Sequence, residues 1–467
     1  MRDPAAGRLR RTVVAAAVAF AVLSPVVGLG AGLEKFGDGS IFAYSVAALD
    51  AWAFHWHNIS GRVFSYLMLY VPAQAVASAS GSATAGILAY GALLFGAPGL
   101  SLAAVRMLDA SRDRTVFAFA CASTAALLPF CYGFPTEMAM AHALFWPTLA
   151  AVLDSRGGFA RTILLYLLFQ SLVLTHEGGV VLGACAALAG LVSRSRRSFS
   201  AFALSMAAWA AVKTMLPPDA HIAGVLGAAA YKFVDPANLT DPAVILAACV
   251  VGGFALLRAV LGRIVPAALI TAICAAIYWI VFDRALLAEM RYSLRTILLA
   301  GAPLLGALAV LFAADGARLG AVPFGRYAMT LRDWLGRRDR AALTTAFGLL
   351  LLVHAVETAK FVTGWIGYTA AVRVLATGEA ADPQLGDARF VSAARIDPAA
   401  NRLAWNSTTP YLSVLLAPGF APARLVVDPA AGYFWLSCET ATRNAQAENP
   451  LPAPARDLIR TLSCLNR

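Results

Sequence analysis

Charge is what this sequence has least of. Of its 467 residues only 13% are Asp, Glu, Lys or Arg, and lysine occurs just four times. A soluble globular domain carries about 25% charged residues. Half that load over such a length excludes a disordered chain and argues against a soluble enzyme. Nucleotide and zinc-enzyme motifs are missing too. There is no phosphate-loop lysine motif and no paired-histidine zinc helix, and Gly-Asp-Gly at 37–39 is too short for a dinucleotide fingerprint. No internal repeat is visible, and no low-complexity tract beyond alanine richness. The seven cysteines do not form a disulfide-dense framework.

What the sequence does have is apolar length. Sixty per cent of residues are hydrophobic, and runs near the ~20 residues needed to cross a bilayer core recur along most of the chain. The first lies at about 12–31, behind a basic start with four Arg in Met1–Arg11, and reads as a retained span rather than a signal peptide. Others lie near 61–78, 84–105, 115–133, 136–153, 162–176, 179–193, 199–216, 242–262, 265–282, 296–313 and 342–364.

The excess of 37 basic over 26 acidic residues, 37 − 26 = +11, does not point to nucleic acid. The arginines stand in short clusters between apolar runs: Arg106/Arg112/Arg114, Arg156/Arg161, Arg194/Arg196/Arg197, Arg258/Arg263 and the 318–340 loop. Such clusters are topology determinants that favour the cytoplasm. Placing them there leaves 132–136, 175–178, 217–241, 283–295 and everything after Trp365 on the exterior face. The pairing works only if one run does not cross, and 61–78, with Pro72 and a small polar stretch behind it, is the weakest. The expected fold is therefore an all-α polytopic membrane protein with about 11 transmembrane helices and an interfacial helix in the first exterior loop, from aromatic-rich Ile41–Trp56. Residues 1–365 form the membrane domain. Residues 366–467 form a small mixed α/β exterior domain, with strands expected at Tyr411–Leu416 and Arg424–Val427. In that tail Cys438 and Cys464 are expected to form a disulfide. The other cysteines lie in apolar runs as small packing residues.

Ionisable residues at or inside a membrane are costly and tend to be functional. Asp38 lies just past the first span, near Glu34 and Asp50. A carboxylate there can take a proton from a hydroxyl or hold a metal, or Asp38 can simply cap the following helix. Asp50 reads as mid-helix, with a buried structural hydrogen bond as its plainer role. Arg62 opens the next run and can clamp a phosphate bidentately or snorkel to the interface. Glu137 with His142, and His176 with Glu177, sit at helix ends on one face, either as packing and capping residues or as a metal or acid/base site. Arg291 and Arg295, four apart with Tyr292 between them, suit a phosphate group unless Asp283 and Glu289 neutralise them. Lys213 and Lys232 can add positive charge. His354, Glu357 and Lys360 share a face of the last run, as an internal Glu–Lys pair or an ion path.

The basic N-terminus, single span, acidic first loop and multi-span body with a small exterior tail resemble the GT-C superfamily of membrane glycosyltransferases. The stretch His55-Trp-His-Asn-Ile-Ser-Gly-Arg62 looks similar to the approach to the membrane core in several bacterial members. The resemblance implies an inner-membrane enzyme, with its N-terminus cytoplasmic and its tail periplasmic. It would move a sugar from a polyprenyl-phosphate donor to a glycan or lipid acceptor. Asp38 would be the base, with Arg62, Arg291 and Arg295 as candidate phosphate ligands. Asp38 departs from the adjacent carboxylates of many members, standing between two glycines with Glu34 four residues earlier. The cofactor is open, a divalent cation being one option. Membrane lipids are expected partners. A lipid or solute transporter using His354/Glu357/Lys360 is the alternative. A third reading is a scaffold whose Trp405, Tyr411, Tyr433 and Trp435 bind a partner.

Overall fold

The computed structural model describes residues 4–54, 62–154, 156–216, 242–281, 288–336, 340–378, 389–428 and 437–465. Nearly every apolar run forms a helix. α1 spans Pro4–Gly30, α2 Gly39–Ala47, α3 Ala51–Phe54, α4 Arg62–Ser80 and α5 Ala83–Leu108. The next run is split into α6 (Thr115–Ala126) and α7 (Leu128–Cys131). Pro129 stands in the first turn of α7, where a missing N–H is tolerated but the helix before it cannot continue. Then follow α8 (Glu137–Leu153), α9 (Phe159–Val173), α10 (Glu177–Ser193), α11 (Arg196–Met215), α12 (Pro242–Leu261), α13 (Ile264–Val281) and α14 (Ala288–Ala313). The short α15 (Gly316–Gly320) and α16 (Gly325–Gly336) lead to α17, Arg340–Thr377, at 38 residues the longest. The tail holds β1 (Phe390–Ser392), α18 (Pro398–Asn401), α19 (Thr409–Leu416), β2 (Leu425–Val427), α20 (Cys438–Gln446) and α21 (Ala453–Leu465).

Among the described residues four helices are long and apolar enough to cross a membrane: Gly7–Gly30, Arg62–Ser80, Ala83–Leu108 and Leu343–Thr377. Several shorter apolar helices pack among them, which makes this a helical membrane protein. Leu23, Val26, Leu100, Leu188 and Leu352 stay exposed on helix faces, as expected where lipid rather than water surrounds the bundle.

Glycine sets the closest helix approach. α5 runs antiparallel to α1, with the Phe95 ring over Gly28, where a Cβ would come within 2.6 Å of it, and Gly91 against Leu29. The first turns of α5 therefore extend beyond the end of α1. There α4 pairs with them: Gly86 faces Ala73 and Ala77, and Tyr70 stacks on Tyr90 with ring centroids 5.5 Å apart.

Two apolar cores result. One runs through the bundle of α6 to α11 and α14, around Phe145, Trp146, Phe169 and Leu298. The other joins the first loop, the start of α5, the end of α17 and the tail, with Phe36, Tyr44, Trp365 and Leu425 in one continuous cluster.

That second core corrects three expectations. α2 is not an interfacial helix: all nine of its residues are buried, because α19 packs over it and Tyr44 meets Tyr411 at 5.2 Å. The Tyr411–Leu416 stretch is helical, not a strand. Pro410 starts α19, and a short apolar run carries no periodicity that separates helix from buried strand. The expected boundary at 365 falls inside α17, which continues without a break to Thr377. The second expected strand does form, as β2, paired in parallel with β1. The Cys438–Cys464 disulfide is present and ties α20 to α21.

Candidate active site

The loop that carries Asp38 is built by close contact. Gly37 has φ +60°, and a Cβ on it would lie 2.8 Å from the Phe134 ring; one on Gly39 would lie 2.3 Å from the Glu34 carbonyl oxygen. The two flanking glycines are what let the chain pass beneath Phe134 and Pro135. The tail then fastens the loop. The Thr408 hydroxyl donates to the Gly37 carbonyl at 2.9 Å, and the Ser40 hydroxyl donates to the same oxygen at 2.9 Å.

Asp38 stands at the N-cap position of α2, yet its side chain accepts no capping hydrogen bond from that helix. Its Oδ1 instead accepts the Trp405 indole N–H at 2.8 Å. Trp405 is itself held edge-on by Phe134, at 5.6 Å between centroids. The residue as a whole keeps some exposure, but its carboxyl is enclosed. That enclosure pushes it up to about 6; the Glu137 carboxylate adds to the rise, while Arg295, the Trp405 N–H and Arg62 oppose it. A carboxyl poised near neutrality in a mixed-charge cleft is suited to proton transfer.

The surrounding charges come from four helix ends. Arg62, at the start of α4, donates through Nη1 to Glu137 Oε2 at 3.1 Å and through Nε to Glu177 Oε2 at 3.4 Å. Glu137 and Glu177 are the first residues of α8 and α10, where the helix dipole favours negative charge. The sequence around them makes those helix starts. Thr136 caps α8 by accepting the Met138 N–H at 3.3 Å, and His176 Nδ1 caps α10 by accepting the Gly178 N–H at 2.9 Å. With Nδ1 an acceptor, the His176 proton belongs on Nε2. Burial, aided by Arg62, lowers this imidazole to about 3, so it stays neutral. Its buried Nε2 has no hydrogen-bond partner among the described residues. From the far end of α11, Lys213 reaches Glu177 at 3.5 Å. The carboxylates of Asp38, Glu137 and Glu34 all lie within electrostatic reach of the Tyr90 hydroxyl.

The cluster thus contains Asp38, Arg62, Glu137, His176, Glu177 and Arg295, all singled out from the sequence, together with Lys213. Glu34 lies at its edge, buried and paired with Lys35 at 2.6 Å. Other candidates fall elsewhere. Asp50 lies not mid-helix but in the bend after α2, facing Arg443 and Asn444 of α20; burial raises its carboxyl. His142 points into the bundle core and bonds the Ser123 hydroxyl at 2.7 Å. Arg291 does not share the position of Arg295. It is buried, donates to the Tyr132 carbonyl at 2.7 Å and lies 3.5 Å over the Phe361 ring. The Tyr292 side chain, Asp283, the Glu289 side chain, Lys232, Tyr433, Trp435 and the stretch at 55–61 lie outside the described residues. In α17, Lys360 pairs with Glu357 at 3.9 Å, and His354 Nε2 lies 3.1 Å from the Ala126 carbonyl oxygen, the plainer of the two readings for that trio. Among the described residues no group of three or more His, Cys, Asp or Glu gathers as a metal site.

Sequence reasoning saw Trp405 only as one aromatic in the tail. Its partner lies 367 residues earlier, and no local pattern marks such a pair. No family model, curated protein or solved structure matches this chain.

Proposed function

We propose that this protein is an inner-membrane glycosyltransferase that moves a sugar from a polyprenyl-phosphate donor to a hydroxyl of a glycan or lipid acceptor. The observation that carries the reading is the Asp38 carboxyl, enclosed, hydrogen-bonded by Trp405 and flanked by the cations Arg62 and Arg295. Asp38 takes the acceptor's hydroxyl proton. The freed oxygen forms a bond to the anomeric carbon from the face opposite the phosphate. The carbon–oxygen bond to the phosphate breaks, its electron pair leaves with the lipid phosphate, and the configuration inverts. Arg62, Arg295 and Lys213 supply positive charge where the leaving group gains negative charge, the kind of preorganised electrostatics that dominates transfer chemistry.

The topology that accompanies this reading puts the Asp38 end outside and the arginine-rich loops in the cytoplasm. α4 pairs with the overhang of α5 beside the Asp38 end, which favours a helix that does not cross. The remaining apolar runs then make 11 crossings, with the tail periplasmic.

Asp38→Asn tests the reading. In purified protein given a panel of polyprenyl-phosphate monosaccharides, transfer should fall by about 10²- to 10⁴-fold, the usual range for a lost general base. Lipid retention by native mass spectrometry should be unchanged. Near-normal turnover overturns the role of Asp38.

A further inference from the structure

Two of the arginine clusters between apolar runs, Arg156/Arg161 and Arg194/Arg196/Arg197, come together around a pocket. At the far ends of α8 and α10 a cavity of about 390 Å³ opens, lined by Asp154, Arg156, Arg161, Arg194, Arg196 and Arg197. Five guanidinium groups face one carboxylate. Asp154 is taken by Arg156, at 2.9 Å, and by Arg161. Among the described residues no carboxylate pairs with Arg194, Arg196 or Arg197.

The backbone adds to this charge. α9 and α11 both begin at the pocket, at 15 and 20 residues, and the first N–H groups of a helix have no acceptor within it. Neither Gly158 before α9 nor Ser195 before α11 caps its helix with a side chain. Gly157 leaves room for Arg197 to lie across the loop: a Cβ there would come within 3.1 Å of Arg197 Nη1. The result is a concave, strongly positive site with forked donors, which suits the tetrahedral oxygens of a phosphate. Its walls continue into the apolar Leu164 and Leu165, and Phe159 beside it is 83% exposed.

We infer that this pocket binds a phosphate group, and the adjoining apolar wall points to the headgroup of an anionic membrane lipid as its carrier. Basic pockets between spans on the cytoplasmic side are suited to that ligand. The site is at the opposite end of α8 and α10 from Asp38, about 25 Å along each 17-residue helix, and the inference is independent of the transfer reading.

The test uses the full-length protein in nanodiscs of phosphatidylcholine alone, with added cardiolipin, or with added inorganic phosphate. Retained lipid is counted by native mass spectrometry, and thermal stability is followed in parallel. The expected result is retention of cardiolipin over phosphatidylcholine. The triple variant Arg156→Gln/Arg196→Gln/Arg197→Gln, all at exposed positions, should weaken it at least tenfold. Arg326→Gln, an exposed arginine in α16, should leave it unchanged. Stabilisation by inorganic phosphate alone, lost in the triple variant, would keep the phosphate site and assign it a soluble ligand. No preference for cardiolipin or phosphate, or equal loss in Arg326→Gln, overturns the inference. Should the triple variant not fold, Arg196→Gln with Arg197→Gln carries the same comparison.

Discussion

At one end of the α8 and α10 pair, Glu137 and Glu177 share a single arginine from another helix, closed in with Asp38, His176 and Tyr90. At the other end, Asp154 holds two arginines at a surface that three further arginines leave open. Both ends hold ion pairs at short distances, yet they do different work. The two carboxylates Glu137 and Asp154 are equally enclosed, at 4% and 2% exposure, but the arginines differ: Arg62 is 14% exposed and Arg156 is 56% exposed. Enclosed charges depend on each other, because each would be costly alone. At the far end two arginines share the enclosed Asp154, so neither is indispensable to it, and the exposed guanidinium groups remain available to a ligand.

Arg62→Ala tests that contrast most strongly. It removes the guanidinium held between Glu137 and Glu177 and should cost about 3 kcal/mol, the scale for breaking a buried pair by removing one partner. Unfolding in mild detergent reads it, and restoration by Arg62→Ala/Glu137→Gln would show that the buried Glu137 charge is the cause. A loss below about 1 kcal/mol would place the pair with ordinary surface bridges.

The pH response is the next effect in size. On the proposed mechanism Asp38 works as a base and must be ionised, so transfer should rise about tenfold per unit up to a pH of about 6 and level off above it. Stability should run the other way. The folded carboxyl titrates at about 6 against 3.8 ordinarily, so the unfolded chain ionises first and stability falls as pH rises through that window. Asp38→Asn should remove this fall. A melting temperature that drops equally in both proteins between those pH values would show that Asp38 is not its source. The smallest effect belongs to the other end: Arg156→Ala should change stability by less than about 0.5 kcal/mol, and a larger loss would mean that the pocket arginines hold the fold together.

Much of this was legible beforehand. Apolar runs gave helices at nearly every expected place, because membrane spans must satisfy their backbone hydrogen bonds internally. Pro-Thr-Glu at 135–137 marked the start of α8, and the two tail cysteines pair. The costly residues at span ends, Arg62, Glu137 and Glu177, did converge. What was hidden depends on segments far apart in sequence. α2 has the composition of an interfacial helix, and only the arrival of α19 makes it a buried one. Arg291 and Arg295 are one turn apart, and only the positions of Tyr132 and Phe361 give them different surroundings. Asp38 as a plain helix cap was a sound local reading, and it fails because Trp405 supplies a better donor.

The bond between Trp405 and Asp38 also has a consequence for biogenesis. Asp38 is made 367 residues before its indole partner, which follows every apolar run of the bundle. Until that late segment has been translated and has reached the same side of the membrane, the carboxylate lacks its donor and α2 lacks its cover. A nascent or truncated chain would hold the bundle with an unfinished centre, and on the proposed reading transfer would wait for the tail.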